Sequence, residues 1–533
     1  MSDDQAIQTL PRLGGYPRFT ELGLDNDYLP AWMQAAGYNT YYVGKLMNGH
    51  DIWNYASPHL TGLNHSSFLL EPYTYQYLNT TWTNDTLPLE QYLGDHTTDL
   101  TQAKVLTYLE DAVNADQPFF MMVAPIGPHV ELFGSNRFNK PENSYSPQKG
   151  TLHPPVPQAK YQDAFSSAIV PRTPNFNPDN PSGAAWIAQL PQQTQDMVDS
   201  NDEFYRDRIR VVAGVDDMVG NIINALDGYG ILDNTFIMYT TDNGYHIGQH
   251  RLQPGKQCGY EHDINIPLVM RGPGIPANVS NELVTSHTDI APTIFSMAGI
   301  PLRSDFDGQP MPMTESAISA NTGSPEHLNV EYWGKASGGE GAYQMPKNQQ
   351  NTYKSMRVIG QGYSFYYSVW CTGDHEFYDM TVDPYQLNNI YLSVTDPAEN
   401  HTLFTETVQP FNRPAPQILP RLDALLMVLK TCAGTTCTQP WAVLHPNSNI
   451  TTLQDAMTET FDQFYQSQPQ VSFSSCDDGY IPSEEGPQSV VPYVLKAGAP
   501  KADATRNANL GIWAGVGRAL KFFGGLSKLR TEL

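Results

Sequence analysis

The sequence predicts an α/β fold: a mostly parallel sheet with helices on both faces, followed by a smaller antiparallel β domain. Short apolar, β-branched and aromatic runs alternate with longer helical patterns, the signature of strand–helix–strand units. Several of those runs end in polar or charged residues, and α/β sheets bind ligands outside the carboxyl ends of their strands. After about residue 320 the texture changes to closely spaced strand patterns with turns between them.

Taken in order, Leu29 to Ala36 reads as a short helix closed by Gly37, and Tyr38 to Val43 as a strand ending at Gly44-Lys45. Residues 51–95 are loop-rich and aromatic. Thr97 to Val113 places apolar residues at 100, 105, 109 and 113, one face of a helix. Pro118 to Ala124 reads as a strand that leads through Pro125 to Pro128-His129. Residues 135–190 are rich in Pro, Asn and Ser and too long for a simple connection, which suits a lid or a surface insertion. Arg208 to Leu226 is the clearest helix, with Ile209, Val212, Val215, Val219, Ile222 and Leu226 on one side. Thr235 to Thr240 reads as a buried strand and stops at the turn Asp242-Asn243-Gly244. Ile266 to Met270 reads as another strand, and Asp289 to Ala298 as a helix.

Leu328 to Trp333, Tyr353 to Ile359, Tyr363 to Val369 and Glu376 to Asp379 read as the strands of the second domain. A helix from Pro420 to Leu429 follows, its proline suited to a first turn. The tail from about 497 mixes Leu, Ile, Trp and Phe with Gly and basic residues. Each glycine there costs a helix roughly 1 kcal/mol against Ala, so a disordered or loosely docked tail is expected. The divisions are then 1–315, 320–495 and 497–533.

The chain's 533 residues allow two or three domains. A formal net charge of -25 makes nucleic acid or an anionic membrane surface a poor partner. An anionic substrate would need a locally positive or cation-bearing site. None of the five cysteines forms a CxxC pattern. Cys432 and Cys437 are close enough for a small disulfide loop, although five buried thiols fit the count equally well. Six glycosylation sequons, at Asn64, Asn79, Asn84, Asn278, Asn400 and Asn449, are near the number chance supplies. No basic-then-apolar leader opens the chain, and its longest apolar run, near Phe119 to Ala124, is too short to span a bilayer.

Chemistry-bearing residues crowd between Asp242 and His262: Asp242, Asn243, His246, His250, Lys256 and Glu261. Carboxylate and amide oxygens at a strand's end suit a hard cation, and the nearby lysine and histidines suit an anion. Asp-Asn-Gly alone is ordinary turn chemistry. The whole stretch is far more specific. Thr241-Asp242-Asn243-Gly244-Tyr245-His246, Gly248, His250, Gly255-Lys256, Tyr260-Glu261 and Arg271-Gly272-Pro273-Gly274 resemble the signature of the sulfatase family. The likeness is to its fungal arylsulfatase and N-acetylglucosamine-6-sulfatase branch, within the alkaline-phosphatase-like superfamily.

The resemblance implies a sulfuric ester hydrolase with one calcium ion and a formylglycine nucleophile made from C/S-x-P-x-R. By that resemblance Asp242 and Asn243 take metal positions, as do Asp3 and Asp4 in a segment similar to the family's T-D-D-Q. Lys256 corresponds to the lysine that contacts sulfate, His129 to the acid toward the leaving alcohol, and Lys45 to the lysine near the nucleophile. Met47 stands where many arylsulfatases have histidine. His246, His250 and Glu261 belong to the signature and suit groups that orient the loop. Glu376-Phe377-Tyr378-Asp379 with Asp383-Pro384 resembles a structural element of the family's C-terminal domain.

The sequence departs from the family at its start. No C/S-x-P-x-R occurs, and Asp4 stands close to Gly14-Gly15-Tyr16-Pro17, which resembles a segment well beyond the nucleophile. The chain therefore resembles a sulfatase without its first strand and nucleophile segment. Losing an interior strand would leave unpaired edges in the sheet. Ordering Asp3 and Asp4 on a frayed end would cost about 1–2 kcal/mol per residue. Impaired turnover is expected. A non-catalytic protein that binds sulfated ligands is the alternative, and a phosphatase or phosphodiesterase of the same superfamily a further one. The expected partner is a small aryl sulfate or sulfated sugar. Secretion is expected for the intact family member.

Overall fold

The computed structural model describes residues 15–493 except 86, 134–150, 321–323, 337, 392–406, 478 and 480. Asp3, Asp4, the tail from 497 and the first part of the expected lid therefore lie outside the described residues.

The central element is a five-stranded sheet ordered β4-β3-β2-β1-β5. Its strands are β1 (Asn39–Lys45), β2 (His65–Leu69), β3 (Asn79–Asn84), β4 (Glu90–Leu93) and β5 (Phe119–Ala124). β1 runs parallel to both β2 and β5, while β3 and β4 add antiparallel pairs at one side. β1 reads N-T-Y-Y-V-G-K, and its β-branched and aromatic centre is buried. Period-two alternation divides the sheet into two cores. Val43 and Leu69 pack with Trp82, Val105 and Val211 on one face, and Tyr42 and Phe68 with Tyr16, Leu60 and Leu70 on the other. Gly44 has φ +118, and a Cβ there would stand 2.1 Å from the Ala124 carbonyl oxygen. Only glycine lets β1 and β5 close together at that end.

Two helices cover the first face. Thr97–Asn114 is capped by His96, whose ring accepts from the Thr98 N–H, and Gln195–Gly228 by Thr194, whose hydroxyl accepts from the Met197 N–H. The second helix begins well before Arg208, where the apolar stripe starts. Its first turns are polar, and tertiary contacts hold them: Asp202 accepts from the Val170 N–H at 2.9 Å and from Arg172 at 2.6 Å.

After a small antiparallel pair, β6 (Glu131–Phe133) and β7 (Thr151–His153), the strand expected from Thr235 to Thr240 is shorter, β8 (Ile237–Tyr239), and is not buried. It pairs antiparallel with β9 (Val269–Arg271), outside the five-stranded sheet. Among the described residues neither the outer edge of β5 nor the second edge of β8 has a strand partner.

The C-terminal part is an antiparallel sheet, β10 (His327–Tyr332), β11 (Tyr353–Gly360), β12 (Tyr363–Trp370) and β13 (His375–Asp379). The expected division at 315–320 falls on the short helix Glu315–Ala320, just before this sheet. Met356, Val358, Phe365, Tyr367 and Phe377 face the helix Ala415–Leu429. Tyr353, Tyr366, Trp370 and Tyr378 face Leu252, Cys258 and Tyr260. The second face thus buttresses the loop that carries Lys256. The helix starts earlier than expected: Pro416 occupies the first turn and Pro420 the interior. An interior proline costs a helix about 3 kcal/mol, which burial against this sheet offsets.

Cys432–Cys437 forms the small loop, Cys371 pairs with Cys476, and Cys258 is a buried thiol. Among the described residues no helix is long and apolar enough to cross a membrane.

Candidate active site

Because β1, β2 and β5 are parallel, their carboxyl ends emerge together. Lys45 closes β1, Tyr75 follows β2, and His129 follows β5. The Tyr75 ring joins the other two. Lys45 Nζ stands 5.0 Å from its centroid, a cation–π distance, and the His129 ring stacks on it at 4.3 Å. Its hydroxyl donates to Asn48 Oδ1 at 2.6 Å. His129 Nδ1 lies 2.8 Å from the Val130 carbonyl oxygen. A carbonyl can only accept, so Nδ1 carries a hydrogen, and a proton exchanged by this ring is exchanged at Nε2.

A set of contacts links the Asp242 loop to Pro128, beside His129. Arg208 Nη1 donates to the Pro128 carbonyl at 2.9 Å, and its guanidinium lies 3.7 Å from the Tyr245 ring centroid. Tyr245 donates to Glu340 Oε2 at 2.6 Å, and Glu340 Oε1 is 4.0 Å from Lys256 Nζ. Burial and then Glu340 hold the Tyr245 phenol far above its ordinary range, so it donates instead of ionising. Lys45 and His129 thus meet at the Tyr75 ring, and a relay of contacts runs from Pro128 through Arg208, Tyr245 and Glu340 to Lys256.

The loop holds its shape through backbone bonds between its two arms. The Gly244 and Tyr245 N–H groups donate to Asp263 and His262 carbonyls at 2.8 and 2.6 Å, and His246 and Gly255 exchange bonds at 2.9 and 3.1 Å. A Cβ on Gly244 would stand 2.1 Å from the His262 carbonyl oxygen.

Asp242 and Asn243 sit on the same loop just before Tyr245, and among the described residues their side chains make local bonds only. Thr241 donates to Asp242 Oδ1 at 3.4 Å, and Asn243 Nδ2 donates to the Gly244 carbonyl at 2.7 Å, which leaves the amide oxygen available as a ligand. These two hard oxygens fit calcium, which takes six to eight, so the described residues supply part of a shell. A different cluster, His246, Cys258 and Asp263, has its N, S and O atoms within 4.8 Å. Its nitrogen and sulfur are the wrong donor types for calcium. Its polar groups also bond one another: His246 Nδ1 to Asp263 at 2.9 Å, and the Cys258 N–H to Asp263 Oδ2 at 2.8 Å.

The remaining signature residues fasten the loop to its surroundings. His250 Nδ1 lies 2.8 Å from Ser182 Oγ, and its ring stacks on Tyr260 at 4.1 Å. Burial, with His262 and His246 nearby, lowers its pKa to about 3, so it is neutral. Glu261 accepts from Arg357 at 2.6 Å, while its N–H donates to Gln386 at 2.9 Å. Tyr260 donates to the buried Glu376 at 2.9 Å.

Sequence reasoning missed Tyr75, Arg208 and Glu340 as site residues. Tyr75 is one tyrosine in an aromatic loop, Arg208 one charge on a helix, and Glu340 sits in a glycine-rich stretch far along the chain. No local signal marks them.

The family model described as Sulfatase matches residues 6–300. Sulfatase ppz1 of Metarhizium majus (strain ARSEF 297) is 39% identical over an alignment covering 79% of this chain and 87% of that protein. Arylsulfatase of Volvox carteri is 31% identical, covering 87% of this chain and 70% of its own. Among solved structures, BT4656 in complex with its substrate D-glucosamine-2-N,6-O-disulfate shares the fold, with TM-score 0.52 and 20% identity over 69% of this chain and 78% of that one. Family match and sequence identity agree: the chain belongs to the sulfatase family, whose members are sulfuric ester hydrolases.

Proposed function

We propose that the chain binds a sulfate ester of an aryl alcohol or a sugar among Lys45, His129, Asp242, Asn243 and Lys256, as an arylsulfatase-type hydrolase whose own turnover is impaired. The carrying observation is the meeting of Lys45 and His129 at Tyr75, with a relay of contacts through Arg208, Tyr245 and Glu340 that leads to Lys256. Lys256 and Lys45 hold the anionic sulfate in a molecule of net charge -25. His129 Nε2 gives its proton to the leaving alcohol, with the ring aimed by the Nδ1 bond to Val130. Asp242 and Asn243, with Asp3 and Asp4, would hold calcium, which when bound draws charge from the sulfate oxygens.

Impairment rests on the sequence, in which no C/S-x-P-x-R provides a formylglycine precursor. The half-buried β5 and the edge of β8 that has no strand partner among the described residues support it, since an interior strand between such edges would bury them. The same observation favours the second reading, ligand binding without turnover. The two disulfides suit an oxidising, secretory compartment.

The test is hydrolysis and binding of 4-nitrophenyl sulfate with calcium. Binding without turnover is expected. Turnover abolished by His129→Ala and by Asp242→Ala would reveal an unrecognised nucleophile and overturn the impairment. Turnover surviving both changes would overturn the site.

A further inference from the structure

Glu340 is a carboxylate in a place that should repel one. Its side chain is only 12% exposed and stands beside Lys256, which the proposed function assigns to the sulfate anion. Tyr245 satisfies Oε2. Oε1 is 4.0 Å from Lys256 Nζ, too far for a hydrogen bond, and no described residue donates to it. A carboxylate has about four acceptor positions, so most of this group's capacity is unspent in a nearly buried setting. Oε1 is not shut off from solvent, so its open positions can be filled by water or by a donor on a bound ligand.

Its position is also built. The Glu340 N–H donates to the Pro254 carbonyl at 2.6 Å, the Met345 N–H to Gly338 at 2.7 Å, and the Gln253 N–H contacts Met345 Sδ at 3.2 Å. A Cβ on Gly341 would lie 2.9 Å from the Pro254 ring. The loop between β10 and β11 is thus fitted against the residues that lead into Lys256.

Resting on the sulfate-ester reading above, we infer that Glu340 determines specificity by accepting a hydrogen bond from a hydroxyl next to the sulfated oxygen of a sugar. A simple aryl sulfate has no donor there, whereas a sugar carries a hydroxyl on the neighbouring carbons. With a sugar bound, Oε1 gains its donor. With bare sulfate bound, the same carboxylate only repels the anion. The site therefore selects polyol sulfates over aryl sulfates.

The test is isothermal titration of the full chain, with calcium, against inorganic sulfate, 4-nitrophenyl sulfate and glucose 3-sulfate, whose neighbouring carbons both carry hydroxyls. Wild type, Glu340→Gln, Glu340→Asp and Lys256→Ala are compared, with thermal unfolding confirming each fold. Glu340→Gln is expected to tighten inorganic sulfate about 3-fold, by removing a like charge. It is expected to weaken glucose 3-sulfate about 10-fold relative to inorganic sulfate, by removing a charged acceptor. Glu340→Asp keeps the charge but withdraws it by one methylene, so it should lose the sugar preference without tightening sulfate. If Glu340→Gln shifts all three ligands by the same factor, the Glu340 inference is overturned while the sulfate site stands. If wild type binds inorganic sulfate no better than Lys256→Ala does, the sulfate-site reading itself fails.

Discussion

In the antiparallel sheet, seven of the eight residues of β12 are buried, with one core against the helix Ala415–Leu429 and another against the Lys256 loop. By contrast β5, β8 and β9 contain no buried residue. The well-covered region carries none of the proposed chemistry in its strands, and the poorly covered strands lead into His129 and Asp242. The better-packed sheet still holds the site in place, because Glu376 receives Tyr260 and Arg357 grips Glu261. Stability and chemistry are thus separated along the chain and joined through one loop. Functional segments commonly come from the less stable parts of a fold.

The largest expected effect is on the long disulfide. Replacing Cys371 and Cys476 by Ala opens a loop with a sequence separation of 105, worth about 4–5 kcal/mol by chain entropy. The same change at Cys432 and Cys437, separated by 5, should cost about 2 kcal/mol. Urea unfolding of both variants checks the difference, and equal losses would break the view that the C-terminal sheet is the stable anchor.

Next is a pair of strand substitutions, one in the core and one outside it. Phe377 is fully buried in β13, and Phe377→Ala should cost about 3–5 kcal/mol. Val269 in β9 is 52% exposed, and Val269→Ala should stay within about 0.5 kcal/mol. A loss at Val269 as large as that at Phe377 would show that β9 is covered in solution.

The third expectation concerns pH. Burial pushes Glu376 up to about 7 against the bonds from Trp370, Tyr378 and Tyr260. Between about 4.5, its ordinary value, and about 7 the folded state holds a proton that the unfolded state has released. Stability from this group is therefore present at the acidic end, falls as pH rises through that window, and is level above it. The fall is on the order of 3 kcal/mol. Asp51 and Asp423, each pushed up to about 6 by burial, add their own slope to both proteins, so the Glu376 contribution is read as the difference in unfolding free energy between wild type and Glu376→Gln across this window. A wild-type slope rising relative to the variant contradicts the assignment.

The smallest effect is local. Amides along β5 and β8 should exchange hydrogen faster than those of β11 and β12, by about 100-fold or more. Equal protection would mean that the half-exposed edges are paired in solution.

Much of this molecule was legible from local pattern. The four C-terminal strands, the Asp242 turn, and the ends of β1 and β5 at Lys45 and before His129 all follow from short-range periodicity and turn chemistry. The start of the long helix was missed because its first turns are polar and held by Val170 and Arg172. Pro420 was misread because burial of the Ala415–Leu429 helix outweighs the proline rule.

By itself the sequence determined the family, the residue types of the proposed site and the absence of a C/S-x-P-x-R motif, since each is written in contiguous residues. Tertiary structure alone decided that Tyr75 stands between Lys45 and His129, that Arg208 bridges Pro128 and Tyr245, and that Glu340 reaches Lys256. Those pairings join residues far apart in the chain, so they exist only once parallel strand ends and a buttressing sheet bring them within a few ångströms.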